Sequence, residues 1–406
     1  MSEIFLVRQP VFDRSDSAVG YELRFREPED GSGDPFARSY LSGSFEFLRA
    51  GLPAYVRATR DQLLERIFDA PDPSSLVVLL PPDLPAEPEI LSAVADLSAR
   101  GVTIILDEFE LPKVPGAPIL SFLAHANAVR VDLRCHHPAT LGPLVAALKR
   151  QGKHAIADHV LDLKLYKTCT SLGFEGFQGP HFSRPEPLPS AELPGSTAAA
   201  LRLLALARDD KTTERELEAV ISSDPGITFQ LLRIVNSASL GGRGITSIGH
   251  ALRMVGRDNV VRWLALASAT ARTGARGTDD ELVRQAVQRA HFCELMATPT
   301  TRFDKGTMFL IGLFSLLDAV FRMPMYEVLD RVKLDDDVRA ALLDCEGPLA
   351  GPILVVEAYE LGLWESAGEA ARNINFDPEL LPAAYQESVQ RAAEHMPGNR
   401  QTVAAG

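Results

Sequence analysis

The hydrophobic period of this chain changes once along its length, and that change limits the possible folds more than any other feature. From the start to about residue 180, short β-branched runs alternate with segments whose apolar residues recur at three- and four-residue spacing. The expected strands are Ile4 to Val7, Val19 to Phe25, Leu76 to Leu80, Val102 to Leu106, Ala128 to Val131, Ala155 to Ala157, and a last one near Phe174 to Phe177. The expected helices are Ile90 to Arg100, Ile119 to Ala126, Leu141 to Gln151 and Leu163 to Leu172. Such alternation implies a parallel sheet with right-handed crossovers, either closed into a barrel or doubly wound. The stretch Ser183 to Gly195 then carries four prolines, which donate no ladder or helix hydrogen bond, so a domain boundary is placed there.

Beyond it only helical periodicity appears. Thr213-x-x-Glu216 forms a capping box before Leu217, Val220 and Ile221. Asp224-Pro225 sets an N-cap side chain and a first-turn proline ahead of Ile227, Leu231, Ile234 and Val235. The expected organisation is an α/β domain over 1–186, a Pro-rich linker over 187–195, an all-α domain over 196–396 and a frayed tail over 397–406.

A length of 406 residues suits two domains of about 200 residues each. Lys and Arg total 41 against 54 Asp and Glu, and the net charge of −13 repels a phosphate backbone, so nucleic acid is not an expected partner. The N-terminal residues lack the basic flank and apolar core of an export signal. The stretch Met308 to Phe321 is shorter than a membrane span of about 18 residues and contains Asp318, so it reads as one buried helix. Four scattered cysteines, Cys135, Cys169, Cys293 and Cys345, suit a reducing cytoplasm. Cys135-His136-His137 resembles a metal site, but adjacent side chains diverge and no second ligand pair is evident, so no cofactor is expected.

In a parallel β/α barrel, residues at the carboxyl ends of separate strands converge on one mouth. Glu22 lies within the second strand, Asp107 and Glu108 follow Val102 to Leu106, Asp132 follows Ala128 to Val131, and Asp158 follows Ala155 to Ala157. Converging carboxylates repel unless cations separate them, and oxygen ligands suit Mg²⁺ or Mn²⁺, which activate water against a phosphodiester. Acids after strands also simply cap the next helix.

The residues themselves resemble a known family. Gly20-Tyr-Glu-Leu-Arg-Phe-Arg26 is similar to the GYEALLR signature of EAL cyclic-di-GMP phosphodiesterases, preceded by Arg8-Gln-Pro-Val-Phe-Asp13. Leu106 to Phe109 stands for their DDFG segment, Val129 to Asp132 for a KID-like strand, Ala157 to Leu161 for AEGVE, and Phe177 to Phe182 with Pro185 for QGYxFxxP. The resemblance implies a TIM-like barrel of EAL type, in which Arg26 and Gln178 stand at ligand-contact positions.

It also implies losses. Glu108 replaces a metal-bridging aspartate, Arg130 the catalytic lysine, Asp158 the glutamate of AEGVE, and Leu161 the second glutamate. Leu76 to Leu80 lacks the asparagine of active members. A following strand with a metal-binding glutamate is expected to be deleted, because Pro81 to Pro85 leads almost directly into the helix at Ile90. The barrel is therefore expected to be truncated and degenerate. Arginine does not exchange freely for lysine, and metal catalysis needs ligand count and geometry together, so the resemblance implies a pseudo-enzyme.

Asp224 to Leu240, with Asp224, Pro225, Asn236 and Ser237, is similar to the DPxLxxxLLxxvNSAxxg hallmark of HDOD domains, and Ile245 to Gly256 continues the match. The related HD phosphohydrolases hold metal with a His-Asp pair, where Ser315 and Leu316 stand here; His250 and His291 are isolated. Two enzyme-like folds without metal ligands imply a regulatory protein that binds other signalling proteins through its HDOD half, with a second copy of itself as a further partner and no membrane association. A catalytically dead cyclic-di-GMP receptor and a weak metal-dependent phosphodiesterase are the alternatives.

Overall fold

The structure is a computed structural model that describes residues 6–26, 33–109, 118–182, 211–222, 231, 248–257, 260, 277–301, 303–321, 324–330 and 336–395. The chain divides into two compact units, 1–183 and 184–406.

The first unit is a closed barrel of eight strands in sequence order. They are β1 (Leu6–Asp13), β2 (Ala18–Phe25), β3 (Ala54–Arg57), β4 (Leu76–Leu80), β5 (Thr103–Leu106), β6 (Ala128–Asp132), β7 (His154–Asp158) and β8 (Gly176–Phe177). Strands β2 to β8 pair in parallel, while β1 runs antiparallel to both β2 and β8 and closes the ring through Phe12 opposite Phe177. The turn between β1 and β2 is tied by Asp13, whose Oδ1 accepts from the backbone N–H of Ser15 at 2.7 Å and of Ser17 at 3.0 Å.

This ring corrects the expected truncation, because no strand is deleted. The segment before Leu76, where the sequence pattern predicts no strand, supplies β3, and helices α1 (Pro35–Leu41), α2 (Ser44–Arg49) and α3 (Arg60–Leu64) flank it. Taken in order from β2, the strand expected to carry the asparagine is β3, which ends in Arg57. The strand expected to carry the glutamate is β4, whose five residues are all buried and apolar. Burial on both faces explains why β4 reads as an unbroken aliphatic run.

Helices α4 (Pro88–Ala99), α5 (Pro138–Arg150) and α6 (Leu163–Leu172) fall where the spacing predicts them. The expected helix Ile119 to Ala126 is instead a 3-10 turn, Pro118–Phe122, followed by turns. Leu123 and His125 make i→i+3 bonds to Leu120 and Phe122, and the Asn127 side chain accepts from the Ile104 N–H at 2.8 Å, drawing the chain straight into β6.

Alternate strand residues point inward, since the side-chain period of a strand is two. One apolar cluster joins Val11, Tyr55, Val77, Leu79, Ile105, Ala128 and Ile156. Gly20 makes room for it: a Cβ there would lie 2.3 Å from the Tyr55 ring. Next along β2, β5, β6 and β7, toward their carboxyl ends, the inward positions are Glu22, Asp107, Arg130 and Asp158. The apolar plug therefore floors a polar mouth.

Among its described residues the second unit has helices and no strand, with α7 (Glu214–Ser222), α8 (Ile248–Val255), α9 (Gly277–Leu295), α10 (Lys305–Phe314), α11 (Leu317–Phe321), α12 (Met325–Asp330), α13 (Asp336–Asp344), α14 (Ala350–Glu360), α15 (Trp364–Asn373) and α16 (Leu381–His395). The Thr213 capping box forms as the spacing predicts: Glu216 Oε2 accepts from the Thr213 N–H at 2.8 Å, and Thr213 Oγ1 accepts from the Glu216 N–H at 3.3 Å.

The run Met308 to Phe321, expected as one helix, is two. Helix α10 is buried from Met308 to Phe314 and caps at Ser315, whose hydroxyl donates back to the Gly312 carbonyl at 2.8 Å before α11 begins. Gly312 lets α9 and α10 cross closely, since a Cβ there would lie 2.3 Å from the Arg289 carbonyl oxygen. Phe292, Tyr359 and Tyr385 pack ring against ring at 4.9 to 5.6 Å. Among the described residues, no helix is long and apolar enough to cross a membrane.

Candidate functional site at the barrel mouth

Four of the acids expected at the mouth, Glu22, Asp107, Asp132 and Asp158, are buried, and the side chain around which Glu22, Asp107 and Asp158 gather is Arg130. It rises from the middle of β6 and is 3% exposed. Its Nη1 donates to Glu22 Oε2 at 2.6 Å and to Gln178 Oε1 at 2.8 Å, and its Nε donates to Asp107 Oδ1 at 2.6 Å. Gln178 in turn donates from Nε2 to Glu22 Oε2 at 2.7 Å. Asp158 Oδ2 stands 4.0 Å from Arg130 Nε. Residues from β2, β6 and the ends of β5, β7 and β8 thus converge on one guanidinium, whose planar fork suits several oxygen acceptors at once.

The electrostatics follow from this convergence. Burial alone would raise the Glu22 carboxyl, but the Arg130 guanidinium, with help from Arg24, overrides it and holds Glu22 well below the usual carboxylate range. Burial would likewise lower Arg130, and the charges of Glu22 and Asp107 reverse that, so its proton is held more tightly than usual.

Three neighbours were not singled out by the sequence reading. Arg57, at the end of β3, donates to Glu108 at 3.0 Å and stands 3.6 Å from Asp107 Oδ2. Arg134 grips Asp132, with Nη2 donating to Oδ2 at 2.7 Å. The Nδ1 of His159 lies 3.2 Å from Asp158 Oδ2 and 3.4 Å from Asp132 Oδ1.

Two residues next to these acids adopt left-handed backbone, Glu108 at φ 44° and His159 at φ 59°. In each, the N–H donates to the preceding aspartate's Oδ1, at 2.8 Å from Glu108 and 2.7 Å from His159. Non-glycine residues in this region store backbone strain and gather at functional sites. Arg26 lies just past β2 and is partly buried. The triplet at Cys135 is engaged locally: His136 Nε2 is 2.9 Å from the Phe109 carbonyl oxygen, and His137 caps α5 by accepting from Ala139.

A divalent cation needs oxygen ligands gathered around a shared space. Here the space between Glu22 and Asp107 is filled by Arg130, and among the described residues no three of His, Cys, Asp and Glu are grouped to hold a metal ion. The donors, as they stand, do not fit a metal pair.

In the helical unit, the Ser315 hydroxyl accepts from Arg289 Nη1 at 3.2 Å, and Arg289 pairs with Glu360 at 2.6 Å in near-complete burial. His291, on α9, is buried with Nδ1 3.1 Å from Glu294 Oε2, and His250 lies on α8. Asp224, Pro225, Asn236 and Ser237 lie outside the described residues.

The first unit is a closed eight-stranded barrel whose ordered motifs resemble those of EAL domains, and the unit that follows it in the chain is helical. Residues 193–330 match the family model of the HDOD domain. Over 401 residues the chain is 25% identical to the uncharacterized protein YuxH of Bacillus subtilis, covering 95% of this chain and 97% of that one. Over 395 residues it is 27% identical to the cyclic di-GMP phosphodiesterase CdgJ of Vibrio cholerae, covering 93% of this chain and 90% of CdgJ. Among solved structures, an EAL domain protein from Listeria monocytogenes matches 45% of this chain and 87% of its own, with 13% identity and a TM-score of 0.36.

The likeness to CdgJ corrects the expectation that the chain is not an enzyme. It runs through both units to a protein named as a phosphodiesterase, so substituted ligand positions do not establish inactivity. The structure removes part of the original reason as well, since the barrel is complete.

Proposed function

We propose that this chain is a cyclic-di-GMP phosphodiesterase with a regulatory HDOD half. The observation that carries the reading is the end-to-end likeness to CdgJ. The barrel mouth supports it: Glu22, Asp107, Asp158 and Gln178 converge at the carboxyl ends of the strands, where barrels of this kind place their chemistry. Arg57 and Arg134, 45% and 58% exposed at the side chain, bring positive charge to the rim where a phosphodiester would enter. His159 Nδ1 lies 3.2 Å from Asp158 Oδ2 and 3.4 Å from Asp132 Oδ1, near enough to two carboxylates to suit the passing of a proton. The HDOD half carries the signal to protein partners.

The test is incubation of the full chain with cyclic-di-GMP, with Mg²⁺, with Mn²⁺ and with chelator, followed by chromatography of the nucleotides. Linear dinucleotide is the expected product, formed at a rate reduced at least about tenfold in Glu22→Gln, the size of one lost charge-assisted contact. No linear product at high enzyme concentration in any of the three conditions overturns the reading.

A further inference from the structure

The mouth of this barrel holds a cation already, and that cation is a side chain. We propose that the Arg130 guanidinium takes the place of a divalent metal ion, so that the carboxylates of the mouth are assembled and neutralised without Mg²⁺ or Mn²⁺. The inference rests on the proposed phosphodiester site for its functional meaning, but its test needs no nucleotide.

Three observations carry it. Arg130 lies within 2.6 Å of a carboxylate from β2 and of another from the end of β5, bridging two acids that would otherwise repel at close quarters. Its donors are spent on the oxygens a metal would need: both Glu22 oxygens accept from it, and so do Asp107 Oδ1 and the Gln178 amide oxygen. Finally, Asp107 is fully buried, and its second carboxylate oxygen also faces an arginine, with Arg57 Nη1 3.6 Å from Oδ2, so side-chain cations stand on both sides of this acid.

Lysine at this position would behave differently. An ammonium is a compact point charge that cannot reproduce the planar fork, so Arg130→Lys leaves acceptors underpaired and space beside them. That variant is expected to gain metal affinity.

The experiment is titration of the full-length protein with Mn²⁺, following the electron paramagnetic resonance signal of free Mn²⁺, for the native chain, Arg130→Lys and Arg130→Ala, with circular dichroism to verify folding. The native chain is expected to show no saturable site and the same Tm in Mn²⁺ as in chelator. A folded Arg130→Lys or Arg130→Ala variant is expected to acquire a saturable site. Saturable Mn²⁺ binding by the native chain, or a Tm raised by Mn²⁺, overturns the proposal, and this arm stands even where neither variant folds. Folded variants that both remain without a site overturn it equally. Failure of nucleotide hydrolysis bears on the proposed function and leaves this readout untouched.

Discussion

Arg130 and its acids were partly legible in the sequence and partly not, for a physical reason. Asp107, Asp132 and Asp158 stand at strand ends and Glu22 within its strand, and strand periodicity assigns all four to one mouth. Their partners depend on ring closure, which brings together residues as distant as Arg130 and Glu22 or Arg57 and Glu108. No local spacing reports that Arg57 and His159 belong to the site. The same burial fixes what removal does. Arg130→Met leaves Glu22 and Asp107 buried without their counter-charge, and breaking a buried pair of this kind costs about 3–5 kcal/mol; urea unfolding should show that loss.

Acid should act through Glu22. Its folded carboxyl sits below its ordinary value of 4.5, so the stabilisation is fully present above that pH and is lost as pH falls toward the folded value. Thermal melts of Glu22→Gln should therefore lie below those of the native chain near neutrality, and the two should converge as pH drops below about 4.5. Parallel curves down to the most acidic melts would contradict the assignment.

At the scale of elements, the purity of the local pattern decided what could be read. Strand β4 and helix α6 coincide with the sequence reading because each is a complete, unmixed pattern, five aliphatics in one and a Gly173-terminated amphipathic run in the other. Strand β3, Ala54-Tyr-Val-Arg57, mixes alanine and arginine with its two β-formers and stayed hidden, although a signal lay beside it. Thr59-Arg-Asp-Gln62 is a capping box, with Thr59 Oγ1 accepting from the Gln62 N–H at 3.2 Å and Gln62 Oε1 accepting from the Thr59 N–H at 2.9 Å. A helix start this well marked, just after Ala54-Tyr-Val56, points back to a strand. Since the cap fixes the turn leaving β3, Thr59→Ala should destabilise the barrel by about 1 kcal/mol in denaturant titration. The Ile119 segment shows the converse: apolar spacing with no Ser, Thr, Asp or Asn just ahead of it gave only a 3-10 turn.

At the scale of the whole molecule, each of the two units has its own buried core, which predicts separable unfolding. Gly20→Ala and Gly312→Ala are matched probes, one forcing a methyl against Tyr55 inside the barrel, the other between α9 and α10. Overpacking of this kind costs about 1–3 kcal/mol, and in units of this size each kcal/mol shifts Tm by about 2–4 °C. Calorimetry should resolve two transitions, with each substitution lowering a different one; a single transition lowered alike by both would show that the units unfold as one.

The antiparallel first strand also sets an order of events during synthesis. Because β1 must meet both β2 and β8, the β1–β2 hairpin leaves the ribosome long before its other neighbour exists, and its outer edge waits unpaired until Phe177 emerges. Folding of the barrel is thus a late, long-range ring closure that local structure cannot hasten. A waiting strand edge is also a template for a neighbouring chain, so the nascent barrel is most vulnerable to misassembly in the interval between its second strand and its last.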